Sequence, residues 1–186
     1  CKKHFIFKGF SGKIVRLNTL ISGFFFSTNL YNFYLLKNNF RDIIFTPQDA
    51  WPGDPILGDK LVQGYYNIAG KKNYSPDDPI WSISENNVYW TKEIHSFSWL
   101  RHLKARSGPL ARKHARYLIL EWLKLYENWS EKSWEVETLA RRVSAWLINI
   151  DFLLADKDKE FSKILRKNIY KQIKHLNLHL NRMYFN

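Results

Sequence analysis

Four apolar stripes with helical spacing occupy the second half of the chain, and they constrain the fold more than any other feature of the sequence. The most regular stripe lies within residues 136–153, where apolar residues recur every three or four positions. This spacing places them on one face of a helix, which then has to be buried against another element. The other stripes lie within residues 90–103, 111–125 and 161–183. The pattern predicts four amphipathic helices.

Short breaks separate these stripes at Ser107-Gly108-Pro109, at residues 127–132 and at Asp156-Lys157-Asp158. Pro109 suits the first turn of the second helix, and Ser133 and Asp158 are expected to cap the third and fourth helices. Amphipathic helices joined by short links pack as antiparallel hairpins. The predicted fold class is therefore all-α, with helical hairpins over residues 88–186.

Two segments precede the hairpins. Residues 1–45 form a basic, aromatic segment that is predicted to be helical, and its most apolar run, residues 20–26, is too short to cross a membrane. Residues 46–87 are rich in proline and glycine, which predicts a long extended connector with turns and room for a short strand pair around residues 65–68. The chain is thus divided into residues 1–45, 46–87 and 88–186.

The formal net charge of +12 favours anionic partners such as nucleic acid, acidic lipid or acidic polysaccharide. The lysines are scattered, however, and a composition that places lysine at every tolerant position explains the same charge. Aromatic residues make up 17 % of the chain, which argues for a packed core and against disorder.

Cys1 is the one cysteine, and the sequence has no phosphate-binding glycine loop and no Cys/His cluster. No metal or cofactor is therefore predicted.

Three stretches carry a family resemblance: Trp51-Pro52-Gly53-Asp54-Pro55 followed by Gly58, Leu61 and Gly64; residues 90–100, WTKEIHSFSWL; and residues 134–147, WEVETLARRVSAWL. In this order and spacing they resemble the N-terminal region of bacterial heparinase II/III family proteins, and the resemblance extends over residues 45–186. It implies that the hairpins form part of an incomplete (α/α) toroid, which a β-sandwich domain follows. It also implies a periplasmic or secreted protein. The absence of an initial methionine and a last helix without a stop signal predict a chain that is truncated at both ends.

Members of this family cleave acidic, uronate-containing polysaccharides such as glycosaminoglycans by β-elimination. The reaction removes the proton at uronate C5 and expels the 4-linked sugar, so it needs a group that neutralises the carboxylate, a base and an acid. In the family, asparagine, histidine and tyrosine fill these roles from segments that this chain does not match. No catalytic residue is therefore predicted here, and the C-terminal remainder of the protein is the expected partner segment.

The residues predicted to bind substrate are Trp51, His95, Trp99, Arg142 and Trp146. Arg142 resembles an arginine of the family's N-terminal motif and would bind a uronate or sulfate through two hydrogen bonds. The alternatives are a structural ion pair, for instance with Glu137 or Asp151, and a solvated guanidinium over a buried apolar stem. His95 would donate to an acidic sugar or bond a backbone carbonyl. The three tryptophans would stack on sugar rings, or else Trp99 and Trp146 would pack in the core and Trp51 would anchor its loop.

Two other functions remain open from the sequence. A fragment of an (α/α)-toroid glycoside hydrolase would need a pair of carboxylates, and Glu93, Glu121 and Asp151 lie on different helices with no spacing that selects a pair. A basic helical binding module would use the lysines and arginines within residues 163–174, which equally suit a solvated helix face. An acidic polysaccharide is the predicted partner, and nucleic acid and membrane are disfavoured.

Overall fold

The computed structural model describes residues 23–36, 46–83 and 87–184, and most of these residues are helical. The helices are, in chain order, α1 Asn29–Leu36, α2 Pro55–Val62, α3 Val88–Ser96, α4 Leu100–Arg106, α5 Gly108–Tyr126, α6 Val136–Ile148, α7 Ile150–Leu154 and α8 Lys159–Tyr184. Between α2 and α3 lie an antiparallel hairpin, formed by β1 Tyr65–Ile68 and β2 Lys71–Tyr74, and a short 3-10 helix, Ile80–Ser82. The predicted all-α class is confirmed.

The helix predicted over residues 90–103 is divided into α3 and α4 at Phe97, whose backbone is left-handed with φ at 56°. The turn buries the rings of both Phe97 and Trp99, and the Trp99 indole N–H donates to the Ile94 carbonyl at 3.2 Å. In one continuous helix, residues two positions apart would point to different faces. The turn therefore lets two large rings enter the same core, although the prediction of a single helix was wrong.

The third predicted helix begins at Val136 and has a different cap from the one expected. The Ser133 hydroxyl is buried and contacts another serine within the preceding turn. Glu135 caps the helix instead, and its carboxylate accepts from the Thr138 N–H at 2.9 Å. The predicted cap at Asp158 is confirmed, because this carboxylate accepts from the Phe161 N–H at 3.0 Å.

The segment predicted as an extended connector contains α2 and the β-hairpin. Pro55 lies in the first turn of α2, and the Asp54 carboxylate caps this helix by accepting from the Ile56 N–H at 2.8 Å. The first strand covers residues 65–68, where the sequence allowed one. The hairpin turn is formed by Ala69 and Gly70, which both have positive φ. Proline and glycine thus mark a helix start and a tight turn here. Turns and a strand pair were expected from the sequence, whereas helix α2 was not.

Helix α2 lies directly on α4, because two glycines remove side chains that would separate the backbones. A Cβ at Gly53 would lie 2.1 Å from the Arg101 carbonyl oxygen, and a Cβ at Gly58 would lie 2.3 Å from that of His102. Neither position leaves space for a side chain. The glycines of the Trp-Pro-Gly-Asp stretch therefore hold the loop before α2 against α4.

An aromatic cluster lies at the centre of the core. The rings of Trp122 and Trp146 meet edge to face at 5.7 Å, and the Phe97 ring packs against both of them. Trp81, from the 3-10 helix, donates its indole N–H to the Leu118 carbonyl at 3.0 Å. Helices α3, α5 and α6 thus share one core, and α6 also packs on α8.

The predicted N-terminal segment is described only over residues 23–36. Phe26, from the apolar run, is buried against Trp129 and His175. Helix α1 packs on α8, where the Tyr31 hydroxyl lies 2.5 Å from the Nδ1 atom of His175. Among the described helices, none combines the length and the apolar character that a membrane span requires.

Candidate functional site

A cleft of about 1160 Å³ lies between two walls of the fold. The first wall consists of the loop before α2, α2 itself and the hairpin; the second consists of α3, the turn that follows it, α4 and α6. Close packing of α2 on α4 joins the two walls. The polar and aromatic side chains of the lining include Asp49, Trp51, Lys60, Tyr65, Asn67, Lys72, Glu93, Ser98, Arg101, His102 and Arg141. A cleft of this size suits a ligand of several rings.

Trp51 lines the cleft with most of its indole in solvent. Its side chain is 70 % exposed, whereas its backbone N–H donates to the Asp49 carboxylate at 3.0 Å. Two residues later, Gly53 packs against the backbone of α4. The loop is therefore anchored through its backbone, and the ring presents an apolar face of the kind that stacks on a sugar.

The exposed face of the hairpin supplies a second aromatic surface. Tyr65 and Tyr74 are paired across the strands and stack with ring centroids 4.3 Å apart, and both remain about half exposed. Asn67 and Lys72 form the next pair on the same face, because alternate residues of a strand point to the same side. Tyr65, Asn67 and Lys72 line the cleft. This face therefore combines flat rings with an amide and a cation.

His102 lies in the cleft wall as a neutral hydrogen-bonding group. Its Nδ1 atom accepts from the Asp54 N–H at 2.9 Å, so the neutral ring carries its proton on Nε2. Burial lowers the pKa of His102 below its ordinary value of 6.5, and the nearby Arg101 lowers it further. At neutral pH the imidazole is therefore uncharged.

Both arginines of the cleft already have carboxylate partners. The Nη2 atom of Arg141 donates to the two carboxylate oxygens of Glu93 at 2.7 and 2.9 Å and to the Ser98 hydroxyl at 2.9 Å. Arg101 lies 3.9 Å from the Asp49 carboxylate, and its Nε donates to the Ser98 carbonyl at 2.9 Å. The contacts of Arg141 hold the second wall together, whereas the Arg101–Asp49 pair joins it to the loop before α2 in the first wall. Both pairs reduce the positive charge that the arginines present to the cleft.

The five predicted site residues separate into two groups. Trp51 and Trp99 line the cleft, Trp51 as an exposed ring and Trp99 as a nearly buried one. His95, Arg142 and Trp146 lie together in the core. The structure thus places Trp51 where a ligand would contact most of a ring, whereas the side chains of the core group do not line the cleft.

Arg142 is fully buried and makes no ion pair with either carboxylate considered from the sequence. Its Nε donates to the Gln172 amide oxygen at 2.7 Å, and its Nη1 donates to the carbonyls of Ser133 and His95 at 2.8 and 3.0 Å. The guanidinium also lies over the Trp122 ring, 4.3 Å from its centroid. Burial lowers the pKa of Arg142 to about 9, which leaves it charged at neutral pH. Arg142 therefore ties α6 to α3, α5 and α8.

His95 is buried beside Arg142 and belongs to the same polar network. Its Nδ1 accepts from the indole N–H of Trp122 at 2.9 Å, and its ring stacks against Trp81. Burial, together with the positive charge of Arg142, lowers the pKa of His95 to about 3. The ring is neutral over the physiological range and links α3 to α5.

Several cleft residues were not among the sequence predictions, chiefly Lys60, Tyr65, Lys72, Arg101, His102 and Arg141. A usable signal existed for Tyr65, since a strand with one buried face directs alternate residues outward. No feature of the sequence indicates that Arg141, and not Arg142, faces the cleft. Within the described ranges, no group of three or more histidine, cysteine, aspartate or glutamate residues is arranged to hold a metal ion.

No family model and no solved structure matches this sequence. FtsZ-localized protein C of Caulobacter vibrioides (strain NA1000 / CB15N) is 31 % identical to it over 98 residues. The aligned region covers 52 % of this chain and 17 % of that protein, so the chain spans only a small part of the relative's length. This similarity is too short to assign the chain to a family.

Proposed function

We propose that this chain forms one part of the substrate cleft of a polysaccharide lyase of the heparinase II/III type, which acts on an acidic, uronate-containing glycan. In this proposal α3–α8 are the hairpins of an incomplete (α/α) toroid, and the catalytic groups come from segments outside the chain. The observation that carries the proposal is a large cleft lined by the exposed rings of Trp51 and Tyr65 and by several cations.

The chemistry of an acidic glycan suits this lining. A pyranose ring has an apolar C–H face that packs on an aromatic ring, and its hydroxyls accept and donate hydrogen bonds. The neutral His102 and the Asn67 amide supply such partners, while lysines supply attraction for carboxylate or sulfate. The chain's role is to bind and orient the glycan so that groups from elsewhere reach the C5 proton and the leaving oxygen.

The test is turnover by the full-length protein with heparin, chondroitin sulfate and alginate. A lyase generates the ultraviolet-absorbing unsaturated uronate at each cleavage. A hydrolase generates new reducing ends without that chromophore, and this result would replace the lyase proposal with the alternative toroid enzyme. A protein that yields neither product from any acidic glycan would refute both enzyme proposals.

Trp51→Ala tests the part played by this chain. We expect KM for the cleaved glycan to rise roughly fivefold, because a stacked ring contributes about 1 kcal/mol, while the free energy of unfolding stays within about 0.5 kcal/mol of the parent value. Tyr89→Ala is the control, since Tyr89 is 80 % exposed and does not line the cleft. Equal kinetics of the two variants would exclude Trp51 from the site.

A second candidate function follows from the similarity to FtsZ-localized protein C, at 31 % identity over 98 residues. On this proposal the full protein accompanies FtsZ in the cell, and the cleft binds a partner of that assembly. Fluorescence microscopy of the tagged full-length protein together with labelled FtsZ provides the test. Coincident bands would support the proposal, whereas a uniform signal that ignores FtsZ would reject it.

A further inference from the structure

We infer that the acidic group of the ligand is bound by Lys60 and Lys72, on the wall formed by α2 and the hairpin, and not by the two arginines of the opposite wall. The inference rests on the proposed function in one respect, that the cleft takes an anionic glycan. The wall formed by α2 and the hairpin, through these two lysines, then recognises the negative charge of the glycan.

Arg101 and Arg141 are unsuited to this role because each is already paired with a carboxylate of the protein. The two oxygens of the Glu93 carboxylate accept from Arg141, and the Asp49 carboxylate lies beside Arg101. A second anion placed against either guanidinium would also approach that carboxylate and be repelled by it. The arginines of the opposite wall therefore offer polar contacts, and their positive charge is largely balanced by Glu93 and by Asp49, which reaches Arg101 from the loop before α2.

Lys60 and Lys72 differ from these arginines in having no carboxylate partner anywhere in residues 23–36, 46–83 and 87–184. Lys60 is on α2 and Lys72 is on β2, so two separate elements bring them to the same cleft. Both side chains are exposed. An ammonium group on a flexible stem binds carboxylate or sulfate as a point charge and tolerates variation in where the anion sits.

The surroundings of Lys72 indicate how the sugar ring would be held. Along β2, Lys72 and Tyr74 point to the same side, and across the hairpin Tyr65 stacks on Tyr74. The Tyr74 ring therefore holds the Tyr65 ring in place beside the cation. A sugar that packs on this aromatic surface directs its ring substituents along the hairpin, where Lys72 and the Asn67 amide are placed to meet a carboxylate or sulfate.

The experiment compares two charge-matched double variants of the full-length protein. Lys60→Gln with Lys72→Gln removes both proposed cations, and Lys113→Gln with Lys163→Gln removes two exposed lysines that do not line the cleft. Calorimetry with a heparin oligosaccharide at two salt concentrations measures affinity and its salt dependence. We expect the cleft pair to lower affinity roughly tenfold, with a weaker salt dependence, and the control pair to lower it less than about twofold.

Equal losses in both pairs would show that overall charge, and not this subsite, attracts the glycan, and would overturn the inference. Unchanged affinity in the cleft pair would overturn it as well. Arg141→Gln serves as a third comparison, and a loss larger than that of the lysine pair would assign the anion to the opposite wall. If the cleft pair loses affinity while the parent forms no unsaturated uronate, the subsite stands and the lyase proposal fails.

Discussion

Arg142 lies in the core with three neutral acceptors and an aromatic ring, and with no carboxylate bonded to it. A planar guanidinium can reach several acceptors in different directions at once, whereas an ammonium at the end of a chain cannot. Removing it leaves a buried amide oxygen and two buried carbonyls without their donor, and each unsatisfied group costs about 1–3 kcal/mol. Its role in the described structure is to join helices.

Arg142→Lys tests this role, because the charge is kept and the geometry is lost. We expect the free energy of unfolding in urea to fall by about 2–4 kcal/mol, since a lysine leaves at least one acceptor unpaired and loses the stacking on Trp122. Arg141→Lys is the matched control one residue away, where the side chain is exposed and ion-paired and the loss should stay below about 1 kcal/mol. Equal losses at both positions would contradict the assignment.

His95 makes the stability of the fold depend on pH. The unfolded chain takes up the imidazole proton near pH 6.5, and the folded chain takes it up only near pH 3. Between these values the unfolded state binds more protons, so the free energy of unfolding falls as the pH falls, by up to about 1.4 kcal/mol per pH unit.

His95→Gln removes this titration while keeping an acceptor for the Trp122 indole. In urea denaturation, we expect the free energy of unfolding of the parent to fall more steeply than that of the variant between pH 6.5 and pH 4. Above pH 7.5, the difference in free energy of unfolding between the two proteins should stay nearly constant. The other histidines titrate in both proteins and cancel in the comparison. Parallel stability curves would mean that the buried ring does not resist protonation.

The contact between α2 and α4 depends on the absence of side chains at Gly53 and Gly58. Asp54 adds two interactions at the same place, since its carboxylate caps α2 and its backbone N–H donates to the His102 ring. Gly53 and Gly58 are therefore glycines because of close packing on α4, whereas Gly70 serves a turn with positive φ and Pro55 a helix start. From composition alone, the same residues predict an extended connector with turns, because composition gives no information on what lies next to them.

Gly58→Ala tests this packing, because the argument predicts whether the free energy of unfolding rises or falls. In an unobstructed helix this change stabilises by about 1 kcal/mol, because alanine is the better helix former. Here the new Cβ would lie 2.3 Å from a backbone oxygen of α4, so the helices have to separate, and we expect a net loss of about 1–3 kcal/mol in urea denaturation. Gly70→Ala is the comparison, because space is open there and only the positive φ opposes the change. A stabilised Gly58→Ala variant would refute the packing argument.

The net charge of +12 is partly accounted for by the ends of helices. Carbonyl groups in the last turn of a helix lack partners within it, and the helix dipole favours a cation there. Cations from other helices occupy these positions: Lys104 bonds the Ile148 carbonyl, Arg112 that of Phe152, Arg116 that of Leu153 and Lys171 that of Glu127. These positive charges connect helices, and the charge total by itself is weak evidence for an anionic partner.

The helices and part of their caps were predictable because their determinants are local. The apolar period of α5 and α8, the Asp158 cap and the strand at residues 65–68 each depend on side chains within a few positions. The division of the first stripe at Phe97 was missed, since it depends on which rings share the core. The toroid curvature stays a prediction.

The cleft is a product of the tertiary structure. Its walls meet where Asp54 bonds His102, forty-eight positions later in the chain, and no periodic pattern records such a contact. Arg141 and Arg142 are the same residue type on the same helix, yet one reaches the cleft and the other the core, because successive residues of a helix point about 100° apart. Local spacing determines that a helix has two faces; only the packing of distant segments determines what each face meets.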